Sequence, residues 1–95
     1  MNNAVLIDER DDVVVAIEPI SKGEEVVYLP KAGDPERFTA ADDITIYHKV
    51  ARRRITKGTK VSKYGEHIGE ALCDIGVGSH VHEHNVEGVR ENLDI

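Results

Sequence analysis

Residues 80–85 read His80-Val81-His82-Glu83-His84-Asn85, placing three of the chain's five histidines within six positions. Imidazole titrates near neutral pH and is a common metal ligand, so such a cluster can hold an ion, bind a substrate or move a proton. If Ser79 to Val86 is extended, His80, His82 and His84 share one face while Val81, Glu83 and Asn85 take the other. Neighbours two apart on a strand stand about 6.5–7 Å apart and can converge on one ion, whereas the outer pair stands about 13 Å apart. At most two adjacent histidines therefore act together unless the strand bends.

Other chemistries are narrowed by what stands nearby. The metalloprotease pattern His-Glu-x-x-His fails because position 86 is Val86. A complete structural zinc site is disfavoured because Cys73 stands alone. Cys73 lies in Ala71-Leu72-Cys73-Asp74-Ile75, an apolar setting that reads as inert packing. His67 reads as a hairpin residue without a catalytic role. Two readings of the cluster stay open: surface or hydrogen-bonded structure, and a two-histidine edge completed by ligands from substrate or another chain. His48, just ahead of Lys49, can join such an edge if the fold brings it there.

The elements that must position these residues are short. Ile-x-x-Gly-x-x-Val occurs at Ile20–Val26, Ile55–Val61 and Ile75–Val81. Glycine supplies a positive φ for a tight turn and the flanking β-branched residues fit half-buried strands, so each copy reads as strand, turn, strand. The spacing of the copies is irregular, which excludes a solenoid. Residues 12–17, 25–29, 44–55, 61–64 and 67–72 are strand-like, although residues 50–54 alone can be helical. Residues 31–36 form a loop by composition, and residues 39–43 suit one helical turn. The chain reads as a mostly-β domain of many short strands, a single unit over residues 1–95 with its core at about 10–86 and a polar tail over 87–95.

With 95 residues, the chain buries only about two-thirds of the surface that it exposes when unfolded, which leaves room for assembly with a larger chain or a second copy. No stretch approaches the roughly 20 apolar residues that span a bilayer, and the apolar run 4–7 meets charged residues at once, so no export signal is read. The expected location is the cytoplasm. The net charge of −6 is unevenly spread. Residues 44–65 hold seven bases and no acid: Lys49, Arg52, Arg53, Arg54, Lys57, Lys60 and Lys63. Such an island can face phosphate, a carboxylate substrate or an acidic partner, or it can be a solvated strand face balanced by the acidic flanks. Nucleic acid is disfavoured, since aromatic residues for stacking are scarce near the island and the acidic remainder repels a polyanion.

Three stretches together carry a resemblance. They are Asp42-Asp43-Ile44 leading to His48-Lys49-Val50-Ala51, then Ile55-x-Lys57-Gly58 with Lys63-Tyr64-Gly65-x-x-Ile68-Gly69, then Gly78-x-x-Val81-His82-x-His84-Asn85. In this order they resemble the SAF domain of the altronate and galactarate dehydratase family, which includes the small subunit of sulfolactate sulfo-lyase. The resemblance implies a β-clip fold and work beside a larger catalytic chain on acidic sugars or hydroxy acids, with a divalent metal, often iron. It implies that His48 and Lys49 match the family's His-Lys pair, and that His82, His84 and Asn85 match its His-x-His-Asn. On that basis His48, Lys49, His82 and His84 are candidate catalytic residues. Lys49 and Asn85 are candidate substrate contacts, and His82 and His84 candidate metal ligands. His80 falls at a variable position and is left as a bystander. The family often has Pro-x-Gly before His-Lys, where this chain has Thr45-Ile46-Tyr47, and often proline at His67.

The leading expectation is a small subunit or accessory domain of a hydroxy-acid lyase. The alternative is a non-enzymatic β-clip domain that binds a small acidic ligand or a partner protein.

Overall fold

The β-branched runs become short antiparallel strands in the computed structural model, which describes residues 2–31, 33–63 and 65–88. Among these residues the elements are β1 (Ala4–Val5), β2 (Val13–Ala16), β3 (Glu25–Tyr28), β4 (Glu36–Thr39), β5 (Lys49–Ala51), β6 (Lys60–Lys63), β7 (Glu66–Ala71), β8 (His80–Val81) and β9 (Val86–Gly88), with no helix. None of the described residues forms a helix long and apolar enough to cross a membrane. Strands β1-β2-β5-β8 form one sheet, β3-β4 a second and β6-β7-β9 a third. The mostly-β expectation holds. The helical options at 39–43 and 50–54 do not: Thr39 ends β4, and Val50 and Ala51 lie in β5, paired with β2 on one side and β8 on the other. Tyr64 and residues 89–95 of the expected tail lie outside the described residues, while Glu87 and Gly88 belong to β9.

The glycine repeat organises the fold more fully than the sequence suggests, because it occurs a fourth time with its glycine replaced. Ile44-Thr45-Ile46-Tyr47-His48-Lys49-Val50 has the same spacing, and Tyr47 has φ +68° where Gly23, Gly58 and Gly78 have +91°, +85° and +89°. All four copies make the same turn. Glu24, His48, Thr59 and Ser79 each donate N–H to the carbonyl three residues back, at 2.9–3.1 Å. The copies then pair: Ile20 bridges Ile44, and Ile55 bridges Ile75. Asp43 accepts the Lys22 N–H in one pair as Asp74 accepts the Lys57 N–H in the other, both at 2.8 Å. Ala40 and Ala71 likewise accept from Gly23 and Gly58. The described residues thus hold two equivalent pairs of turns, one for each half of the fold.

Each half encloses its own apolar cluster. Ile20, Val26, Ala40, Ile44 and Val50 lie in the first, and their counterparts Ile55, Val61, Ala71, Ile75 and Val81 in the second, all 0–2% exposed. Burying each of these valine and isoleucine side chains contributes roughly 1.5–3 kcal/mol. The central pair of strands serves both halves. Register Val13↔Ala51, Val14↔Val50 and Val15↔Lys49 sends Val14 and Val50 into the first cluster and Val13 and Ala51 into the second. Cys73, read from sequence as packing, is exposed, because Ala71 and Ile75 fill the core positions and residues 72–74 pass outside them.

Candidate active site

Strand register assembles the histidines. Lys49 pairs with Val81 and Val50 with His80, so His80 shares a face with Val50 and with His48, two residues earlier. Lys49 falls to the opposite side and is 3% exposed. The His48 Nδ1 stands 2.8 Å from His80 Nε2, a hydrogen bond in which one ring is the donor. The rings are stacked, with centroids 5.0 Å apart for His48–His80, 4.5 Å for His48–His82 and 5.8 Å for His80–His82. One nitrogen from each of these three lies within 4.8 Å of the others.

The segment is not extended through residue 86 as the alternation argument supposed. Strand β8 ends at Val81 and the chain turns through residues 82–85. Asn85 is the physical reason. Its Oδ1 accepts the His82 N–H at 3.0 Å and its Nδ2 donates to the His80 carbonyl at 2.8 Å, so side-chain bonds take the place of a ladder. Asn85 is 7% exposed, and both polar atoms of its side-chain amide hold the backbone that carries the histidines. The turn brings His84 back over His80, with ring centroids 5.2 Å apart, although His84 itself is exposed and lies outside the three-nitrogen group.

Electrostatics favours the neutral form of His80 and His82. Burial pushes the His80 pKa down, and the charges of His48, His84 and His82 push it further, against a smaller upward pull from Asp42. Asp42 also accepts the His80 N–H at 3.0 Å. Burial lowers the His82 pKa too, followed by the charge of Lys49. The His82 Nδ1 is buried with no hydrogen-bond partner among the described residues. Such a nitrogen costs about 1–3 kcal/mol when left unpaired. Neutral rings with a nitrogen to offer are what a metal of imidazole preference requires, so the donor set fits a divalent first-row ion.

The basic island is dispersed. Arg52 binds inward: its Nε donates to Tyr28 Oη at 3.2 Å and its Nη1 to the carbonyls of Asp11 and Glu9 at 3.0 and 3.2 Å. Tyr28 in turn donates to Glu36, and that hydrogen bond is the main cause of a lowered Glu36 pKa. Arg53 pairs with Asp12 at 3.6 Å and Arg54 with Asp74 at 3.4 Å. Acids from the flanks therefore balance the arginines. His67 lies in β7 within the β6–β7 hairpin, exposed, with no place in the cluster.

Sequence reasoning passed over His80. Its signal was the Ile75-x-x-Gly78-x-x-Val81 spacing, which sets His80 in the ladder beside Val50.

A mostly-β domain of paired glycine turns, with histidines gathered where two strands meet, is the SAF type of fold. The chain belongs to the altronate/galactarate dehydratase SAF domain family, whose model matches residues 2–89. It is 39% identical over 90 residues to the altronate dehydratase of Escherichia coli (strain K12), covering 95% of this chain and 17% of that protein. It is 32% identical over 88 residues to the (2R)-sulfolactate sulfo-lyase subunit alpha of Chromohalobacter salexigens, covering 90% of this chain and 94% of that subunit. The corresponding subunit of Paracoccus pantotrophus is 48% identical over 54 residues, which cover 57% of this chain and 81% of that subunit. The chain thus spans about a sixth of the altronate dehydratases that it matches and nearly the whole of one alpha subunit.

Proposed function

We propose that this chain is a single-domain small subunit or accessory domain of a cytoplasmic hydroxy-acid lyase, of the altronate/galactarate dehydratase or sulfolactate sulfo-lyase type. It contributes side chains to a site shared with a larger catalytic chain. The observation that carries this reading is the coverage. The same domain accounts for a small part of a dehydratase and for almost all of a subunit named alpha.

Eliminating water or sulfite from a hydroxy acid needs a base for the proton beside the carboxylate, a cation for the charge that develops, and an acid for the leaving group. His82 and His84 serve as ligands or proton carriers, tasks that suit an imidazole. His48 stacks on His82 and supports the same edge. Lys49, expected from the sequence to meet the substrate carboxylate, is buried on the other face of the ladder and acts through its charge at His82. Asn85, a candidate substrate contact from its place in the His-x-His-Asn motif, acts by holding His82 and His80 in place. A bound divalent metal, iron first, supplies Lewis acidity at this edge.

Co-purification from the native source tests the reading. A large catalytic chain is expected to accompany this one, and turnover of altronate, galactarate or sulfolactate is expected only from the assembly. Full turnover by the 95-residue chain alone overturns the subunit role. Absence of any larger partner favours the binding-domain alternative.

A further inference from the structure

We propose that His48, His80 and His82 form a three-histidine site for a divalent transition-metal ion, held entirely by this chain. The proposal deepens the lyase reading, in which the metal ligands were His82 and His84, and replaces that pair with a different set.

Geometry carries the argument. Two nitrogens bound to one ion at about 2.0–2.1 Å stand roughly 3 Å apart, and the His48 Nδ1 to His80 Nε2 separation is 2.8 Å. The third histidine offers a nitrogen within 4.8 Å of both, a span that small ring rotations close. The rings are already nearly parallel, at 13–18° to one another. Two independent devices hold the backbone beneath them. The Val50↔His80 ladder fixes the distance between the His48 and His80 segments, and the Asn85 side chain fixes His82 relative to His80. Such bracing by neighbours is what a ligand set requires to be selective.

The chemistry of the set names the ion class. Three imidazoles with no carboxylate among them suit iron(II), cobalt(II), nickel(II) or zinc(II) and disfavour magnesium and calcium, which take oxygen ligands. Three protein ligands leave coordination positions open, as catalytic sites do. His84, whose ring centroid is 5.2 Å from that of His80, lies beside the site without being one of its ligands.

The test is metal binding by the purified, chelator-treated 95-residue chain. Cobalt(II) is followed by its visible absorption and zinc(II) by calorimetry, with thermal unfolding as a check on folding. One ion per chain is expected. His48→Ala, His80→Ala and His82→Ala are each expected to weaken binding at least ~10-fold, His84→Ala less than any of them, and His67→Ala not at all. His80→Gln, which keeps a polar side chain there, is expected to weaken binding as His80→Ala does. Absence of binding by the folded chain overturns the proposal, as does binding that survives His80→Ala and is lost with His84→Ala. The two readings fail separately. Metal binding without a larger partner removes the lyase role and keeps the site, whereas an active assembly whose small chain binds no metal does the reverse.

Discussion

Tyr47 holds in the first half of the chain the place that Gly78 holds in the second. The backbone N–H of Tyr47 donates to Ala16 and that of Gly78 to Ala51, and φ is +68° at the tyrosine and +89° at the glycine. A side chain in the left-handed region costs about 1–2 kcal/mol, part of which glycine returns as backbone entropy. Tyr47 is also 70% exposed, so its ring gains little from packing. Tyr47→Gly is therefore expected to stabilise the chain by about 0.5–1 kcal/mol, read as a higher urea midpoint at unchanged slope. An unchanged or lower midpoint contradicts this account.

The glycines of the repeat are not interchangeable. A Cβ at Gly58 meets open space, whereas one at Gly78 runs into the carbonyl oxygen of Thr39. Gly58→Ala is expected to cost roughly 1 kcal/mol, from conformation alone. Gly78→Ala adds a backbone clash and is expected to cost more than about 2 kcal/mol. Denaturant unfolding of the two variants side by side checks the order.

Acid sensitivity should begin at Asp8 and Glu36. Asp8 is held down from 3.8 to about 2 by its side-chain bond from Arg10, and Glu36 is lowered chiefly by the bond from Tyr28. A depressed folded pKa means that the unfolded chain binds more protons as the pH falls through the ordinary carboxylate range. The stabilisation is complete above about pH 4 and is lost toward pH 2. Asp8→Asn is expected to flatten the loss of stability between those limits, as measured by unfolding at stepped pH. A curve with the wild-type slope speaks against the Asp8 contribution.

Asn85→Ala removes both bonds that shape the turn after β8. With the His82 N–H and the His80 carbonyl left unpaired, a loss of about 1–3 kcal/mol is expected. The imidazole resonances of His82 and His80 should move together, because one side chain positions both. A stability loss with those resonances unmoved assigns Asn85 a purely structural role.

Much of this was legible in the residues. Alternating β-branched runs and glycine spacing marked the strands and three of the four turns, because local sterics alone select them. The fourth turn was hidden by Tyr47, whose type argues against the conformation that it adopts. The histidine site was half legible. Alternation and the family motif pointed to His82 and His84, but the bend at His82 depends on where an asparagine side chain finds its partners. The His48–His80 contact depends on a ladder between strands about thirty residues apart. Of the two readings of the basic island, the one balanced by the acidic flanks fits Arg53 and Arg54, which pair with Asp12 and Asp74, although a charge count along the chain does not name those partners.

Val13 and Val14 are neighbours in one strand yet are buried in different clusters, as are Val50 and Ala51 in the strand beside it. The seam between the halves is therefore their shared wall, and neither half can open without stripping the other. Thermal and chemical melting should follow a single cooperative transition with coincident probes. An ion held by His48, His80 and His82 at the β5–β8 edge would shift that entire curve and leave no separately melting half.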